Sequence, residues 1–277
     1  MIEKGSTYVV MGLLDTNSIA YAIGQAIEKW GGNVVYTVQN DRMKRIFLDR
    51  NAQWAEQNGH LSHVKCCDVT VEEEVRRCFE EIGPVAGVTH SIGFANPKTC
   101  LGEEFHTDEI EDIKTGFHIS AISLATVTKY AQQQMPEGGS VVTLTFASHL
   151  AFPYYNWMGV NKAALEATVR ALARRHGRDL VRVNAISAGP VTTRAASSIH
   201  GFEELGKTWQ KSSPLPWDHE EDKHEVANAV AFLMGPYAKK ISGQVIHVDG
   251  GASIIGGELL PHERHDGSIA VLRGSVM

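Results

Sequence analysis

The 277-residue chain is short of several things, and each shortage narrows what it does. No apolar run approaches the roughly 18 residues a membrane span needs, so no membrane role is expected. Basic residues are outnumbered, 26 against 32 acidic, and a net charge of −6 argues against a general nucleic-acid binder, which carries a basic face. The opening MIEKGSTYVVMGLL has too short an apolar stretch, and an acid at Glu3, for a secretory signal. The four cysteines (Cys66, Cys67, Cys78, Cys100) show no C-x-x-C spacing. Cys66 and Cys67 fall on opposite faces of a strand, and the thiols read as small hydrophobes of a reduced, cytoplasmic chain. Thirteen histidines are present, but His219 and His224 sit five apart in the charged run DHEEDKHE. That run reads as a solvated helix start, and no metal site is expected. Linkers and internal repeats are also missing, and the first turn, GLLDTNSIA, lacks the second and third glycines of G-x-G-x-x-G.

What is present is alternation. STYVVMG, NVVYTV, HVKCCDV, VAGVTHSIG, GSVVTLTF, VRVNAIS and GQVIHVDGG read as seven strands. Between them lie amphipathic segments of helical period. SIAYAIGQAIEKWGG places Ile19, Ile23, Ala26, Ile27 and Trp30 on one face and closes on Gly31-Gly32. DRMKRIFLDRNAQWAEQNG predicts a helix ending at Asn58-Gly59, and TVEEEVRRCFEEIG one capped by Thr70 with Glu73 as its capping-box partner. EIEDIKTGFHISAISLATVTKYAQQQM reads as one long helix. Strands alternating with helices of this length imply a parallel α/β sheet covered on both faces. One domain is expected over residues 1–256, a Rossmann-like seven-stranded parallel sheet, followed by a tail over 257–277 of unknown role.

In such sheets ligands bind beyond the carboxyl ends of the strands. There the chain has Gly12, followed by Ser18 and Ile19 at a helix start that suits an anion or is simply an N-cap. Gln39 ends the second strand, where an acid would accept ribose hydroxyls; an uncharged amide suits a free 2′-hydroxyl, while Arg42, Lys44 and Arg45 leave a 2′-phosphate open. Asp68-Val69 closes the third strand, as an adenine contact or as a cap shared with Thr70. Ser91, Ile92 and Gly93 close the fourth, where Gly93 lets the backbone approach a ligand. Gly189-Pro190 turns after the sixth, ahead of the hydroxyls of Thr192 and Thr193. Each alone is turn chemistry; together they mark one edge of one sheet.

Tyr155 and Lys162 stand in YYNWMGVNK. Seven residues is about two helical turns, which returns both side chains to one face. A lysine beside a phenol favours the phenolate and also bonds sugar hydroxyls, which suits a group that polarises a carbonyl.

The chain resembles the short-chain dehydrogenase/reductase superfamily, and within it the enoyl-acyl carrier protein reductases of bacterial type II fatty acid synthesis. The likeness rests on GLLDTNSIAYAI, VQND, CDV, HSIGFAN, HISAIS, YNWMGVNKAALEA, VRVNAISAGPVTT and ISGQVIHVDGG, in order over roughly residues 5–253. Its Y-x6-K spacing and HSIGFA turn differ from the Y-x3-K of other superfamily members. The resemblance implies that Tyr155 bonds the thioester oxygen and Lys162 the nicotinamide ribose. It implies cofactor contacts at Gly12, Ser18, Ile19, Gln39, Asp68, Val69, Ser91, Ile92, Gly93, Gly189, Pro190, Val191 and Thr193. NADH is the expected cofactor, with NADPH left open, and acyl carrier protein the partner that brings the enoyl chain. A homotetramer is implied as well, with Leu165, Val169 and Leu172 expected as an outward apolar patch; the tail has no counterpart in the family pattern and reads either as a segment lying across a neighbouring subunit or as a frayed terminus. Two departures stand out. Phe146 occupies the position of a common second tyrosine, and PVTTRA replaces P-I-R-T-L-A, putting Thr192 and Arg194 at altered positions. A carbonyl- or alcohol-specific dehydrogenase and a non-catalytic dinucleotide-binding regulator are the alternatives.

Overall fold

The computed structural model describes residues 1–51, 63–194, 196–199 and 201–264. Seven strands, β1 (Thr7–Met11), β2 (Asn33–Val38), β3 (Val64–Cys66), β4 (Gly87–His90), β5 (Gly139–Thr145), β6 (Val181–Ala188) and β7 (Val245–Val248), form one sheet in the order β3-β2-β1-β4-β5-β6-β7. Every pairing is parallel, as the alternation requires. The order runs outward from β1 in both directions, which opens a crevice at the carboxyl ends of β1 and β4.

Successive strand residues point to opposite faces, and each face finds its own helices. Tyr8 and Val10 pack with α1 (Ile19–Lys29) and α8 (Lys223–Met234) in one core. Val9 and Met11 join the other core with α3 (Glu72–Ile82), α5 (Ser123–Gln133) and α6 (Asn156–His176). Both cores are fully buried at their centres, with Val9, Val10, Val141 and Val183 at 0% exposure. The remaining helices are α2 (Asp41–Arg50), α4 (Ile110–Phe117) and α7 (Phe202–Ser212).

Several local expectations are corrected. The helix expected from Asp41 to Gly59 is seen as α2 to Arg50, and residues 52–59 of that expected helix lie outside the described residues. The capping box at Thr70 and Glu73 does not form. Asp68 instead accepts from the Thr70 amide (2.9 Å) and hydroxyl (2.6 Å), while Glu74 reaches back to the Asp68 amide (2.9 Å). A carboxylate one strand-end earlier outcompetes a hydroxyl because charge assistance strengthens the bond. The long helix is split by a π turn, His118–Ile122, between α4 and α5. There Ser120 accepts from the Phe94 amide (2.9 Å) and donates to the Phe94 carbonyl (2.9 Å), which fixes the loop after β4. Leu165 and Val169 are not outward at all: both are completely buried in the chain's own core, with Leu172 packed beside them. The tail begins against its own α7, where Leu259 donates its amide to the Lys211 carbonyl (2.9 Å) and Glu258 pairs with Lys211 (3.2 Å) and Arg264 (2.8 Å). The apolar stretch Ser268–Leu272 lies outside the described residues. Among the described residues no helix is long and apolar enough to cross a membrane.

Candidate active site

One cavity of about 710 Å³ opens at the carboxyl ends of the strands, and all the expected cofactor contacts from Gly12 to Thr193 border it, whereas Thr192 does not. Its floor is the first turn. Gly12 has φ +93°, and a Cβ there would lie 2.1 Å from the Ser91 carbonyl, so only glycine lets β1 and β4 end this close together. Ser18 caps α1 by accepting from the Tyr21 amide (3.2 Å), so the N-cap reading of Ser18 holds, and Ile19 follows it on the cavity wall. The helix's remaining free N–H groups still face an anion favourably. Asn17 donates to the Thr192 carbonyl (3.1 Å), bringing the segment after β6 across this turn with Val191 and Thr193 on the wall.

At the far end, Gln39 donates to Asp68 (3.0 Å), so the two strand-end side chains act as one unit rather than two separate contacts. These bonds, with those from Thr70, hold the Asp68 carboxyl below its usual range against the opposing effect of burial. Of α2, Met43 borders the cavity, whereas Arg42, Lys44 and Arg45 do not. Val69 and Cys67 complete this end. His219 belongs to the site's frame, not to a solvated run: its Nδ1 lies 2.8 Å from the Pro190 carbonyl, its own carbonyl accepts from the Thr192 amide (2.7 Å), and Trp217 donates to Pro190 (2.7 Å). Together these fix the Gly189-Pro190 turn. Among the described residues no group of side chains could hold a metal.

Tyr155 and Lys162 both line this cavity. Lys162 is buried to 8% exposure and donates to the Leu144 carbonyl at the end of β5 (2.9 Å), leaving two of its three protons for another partner. Burial pushes its ammonium down to about 8, with Glu166 pulling the other way. Burial pushes the Tyr155 phenol upward instead, so the hydroxyl is a neutral donor and not the lysine-stabilised phenolate its spacing suggested. The phenol ring rests on Phe146 (5.1 Å between centroids), which packs in turn on Phe152 (4.7 Å) and Trp209 (5.3 Å). Phe146 thus supports the tyrosine by shape alone. Tyr155 is also clamped by its neighbours, since Tyr154 (φ +65°) and Asn156 (φ +31°) both adopt left-handed backbone. Asn156 is held there by its side chain, which donates to the Gly102 (2.7 Å) and Glu104 (3.0 Å) carbonyls.

Beyond Tyr155 the cavity becomes apolar, walled by Ala95, Leu101, Met158, Ile199, Phe202 and Leu205, with Arg194 also on its lining. Sequence reasoning missed this wall and the aromatic stack, because nothing in local spacing marks residues that converge from three separate segments. Glu166 was missed too, although it stands four residues after Lys162 and therefore one turn along the same face.

The sequence profile of a family described as "Enoyl-(Acyl carrier protein) reductase" matches residues 12–253. The enoyl-[acyl-carrier-protein] reductase [NADH] FabI of Bacillus subtilis is 36% identical over 262 residues, covering 91% of this chain and 97% of that one. The Staphylococcus aureus (strain MRSA252) enzyme named with NADPH is 36% identical, covering 90% and 96%. Among solved structures, the Bacillus cereus enoyl-acyl carrier protein reductase with NADP+ and indole naphthyridinone superimposes with a TM-score of 0.83 at 36% identity, covering 91% of this chain and 98% of its own. The Anaplasma phagocytophilum reductase in complex with NAD gives 0.81 at 30% identity, covering 93% and 95%. With the family profile spanning residues 12–253 and a relative 36% identical over 91% of this chain, the chain belongs to the enoyl-(acyl carrier protein) reductase family.

Proposed function

We propose that this chain reduces the 2,3-double bond of trans-2-enoyl thioesters borne by acyl carrier protein, in fatty acid synthesis, with NADH as its dinucleotide. The observation that carries the reading is the convergence of Tyr155 and Lys162 on a cavity that is polar and turn-lined at one end and apolar at the other.

The residues fit a dinucleotide. A Cβ on Gly93 would stand 3.4 Å from Lys162 Nζ, in the space where a ribose would take the lysine's two remaining protons. The α1 start and Thr193 would hold the phosphates, and the turn residues Ser91, Ile92, Gly189, Pro190 and Val191 would flank the ring and ribose. Gln39, Asp68 and Val69 would border the adenosine. Gln39 brings no cation to a 2′-phosphate, and the bases of α2 stand off the cavity, which supports NADH over NADPH. The Bacillus subtilis relative is named with NADH and the Staphylococcus aureus one with NADPH, so the family accommodates both.

When bound, the reduced dinucleotide supplies a hydride to the β-carbon of the enoyl chain. Negative charge then collects on the thioester oxygen as an enolate. Tyr155, neutral because it is buried, donates its hydrogen bond to that oxygen, and such a bond strengthens as charge builds. Phe146 keeps the phenol in place and adds no hydroxyl of its own. A proton taken up from solvent at the α-carbon discharges the enolate and completes the saturated chain. The apolar wall from Ala95 to Leu205 shelters the acyl chain from water.

Residues 1–256 form the catalytic unit in this reading, and the chain works in the cytoplasm as a homotetramer. The support for assembly is not Leu165 or Val169 but exposed Ile110, Phe117, Ile122 and Val160, whose segments α4, the π turn and α6 pack together. A closed symmetric assembly would cover them.

Mixing the protein with NADH and a short enoyl thioester, on acyl carrier protein or on coenzyme A, tests the reading by loss of the reduced-nicotinamide absorbance. Turnover of ketones or alcohols without enoyl reduction would place the chain with the carbonyl-specific enzymes. Dinucleotide binding with no turnover at all would make it a sensor.

A further inference from the structure

Lys162 does not stand alone on its helix. One turn further along α6, Glu166 accepts two hydrogen bonds, from Thr145 Oγ1 (2.8 Å) and from Ser148 Oγ (2.6 Å). Thr145 is the last residue of β5, directly after Leu144, whose carbonyl Lys162 grips at 2.9 Å. Thr145 and Ser148 also bracket Phe146, the ring on which Tyr155 rests. Two consecutive turns of one helix therefore hold one strand end at three points, and the residue that supports the phenol lies between two of them. A carboxylate is better suited to this than an amide, since ionised oxygens accept from two hydroxyls at once and do so more strongly.

We propose that Glu166 is the positioning residue of the Tyr155–Lys162 pair: its carboxylate fixes the 144–148 strand end and supplies the negative charge that opposes the buried ammonium of Lys162. The inference rests on the reading of Lys162 as the ribose-binding group. Glu166 touches neither substrate nor dinucleotide and acts through its neighbours.

The electrostatic surroundings of Lys162 are few. On its own helix stands Glu166, and just before the helix the Tyr155 phenol, held neutral by burial. From β4 comes His90, fully buried, 3.1 Å from Thr143 and 2.8 Å from Ser123, and pushed down to about 3 by burial and then by the lysine's charge. His90 is neutral throughout the physiological range and cannot compensate the lysine. Glu166 is the group that pulls the lysine upward, against burial, from its value of about 8. Without it, Lys162 gives up its proton at lower pH.

Glu166→Gln tests this, because it keeps the shape and a hydrogen-bonding head while removing the charge. NADH binding is followed by fluorescence titration from about pH 6.5 to about pH 9, a range chosen to bracket the lysine. Wild-type affinity falls as pH passes about 8. The variant's fall begins at lower pH, so its affinity deficit grows severalfold across the range, and kcat/KM for an enoyl thioester follows the same course. Ser148→Ala, which removes one anchor and leaves the charge, lowers kcat without moving the alkaline limb. Should the glutamine variant fail to fold, Glu166→Asp draws the charge back by one methylene and moves the limb the same way by less. A deficit in Glu166→Gln that is equal at every pH, or no deficit, overturns the proposal. The binding titration needs no turnover, so a wild-type protein that binds NADH yet reduces no enoyl thioester would count against the proposed reaction and not against Glu166.

Discussion

Replacing Lys162 by methionine should make the dinucleotide-free protein more stable while destroying its function. An ammonium whose proton affinity is pushed from 10.5 to about 8 is penalised in the folded state. At about 1.4 kcal/mol per tenfold in proton affinity, that penalty is roughly 3 kcal/mol at neutral pH. Methionine fills a similar volume without charge, but it abandons the bond to the Leu144 carbonyl, a loss of about 1 kcal/mol. The net gain is roughly 2 kcal/mol, or about 4–6 °C in Tm for a domain of this size. The sign with pH follows from the direction of the shift. Between about 8 and 10.5 the unfolded chain still carries the proton that the folded chain has released. Wild-type stability from this group therefore rises with pH through that window, and the gap to the variant closes near its top. Thermal unfolding followed by circular dichroism, at about pH 7 and about pH 10, reads both effects. A methionine variant less stable than wild type at neutral pH, or a gap of equal size at both values, would refute the reasoning.

Three other outcomes are expected. Tyr155→Phe should fold normally, since the ring keeps its place on Phe146, and should lose about 10- to 1,000-fold in kcat with little change in NADH affinity, as removal of one transition-state donor does; steady-state kinetics and a binding titration check it, and wild-type kcat/KM would sink the assignment. KM for NADH should lie below that for NADPH, and Gln39→Arg should narrow the difference; a tenfold advantage for NADPH in the unmodified protein would overturn the reading of Gln39. Truncation after Gly257 removes the cap on the Lys211 carbonyl, so α7, which lines the acyl end with Phe202 and Leu205, should loosen and KM for the enoyl thioester rise by about two- to fivefold while KM for NADH holds; equal changes in both constants would mean the tail acts elsewhere.

The sheet was legible because its central strands are buried on both faces and therefore read as short runs rich in β-branched residues, a signal that tertiary context reinforces. The strand-end residues were legible for the related reason that small and polar residues interrupt those runs where ligands bind. The failures have physical causes. Thr70 looked like a cap because a capping box is a local pattern, yet its amide and hydroxyl are both taken by the charged Asp68 two residues earlier. The π turn leaves no mark in composition, since one extra residue in a helix shifts its phase without altering its apolar content. Leu165 and Val169 were assigned outward although three and seven residues from Lys162 is the same helix face, which the cleft had already turned inward.

The left-handed backbone on either side of Tyr155 has a mechanical consequence. Tyr154 is not merely strained: its ring lies so close to Gly201 that a Cβ there would come within 2.2 Å of it. Gly201 is the residue from which α7 sets out. The phenol and the α7 wall of the acyl cavity are thus linked through the Tyr154 ring, with Asn156 anchored on Gly102 and Glu104. A long acyl chain, or a bulky inhibitor, that pushes α7 outward must release Tyr154, and the neighbouring residue then turns with it. Substrate length would be felt at the catalytic hydroxyl, far from where the chain's end is housed, as a change in aim rather than in fit.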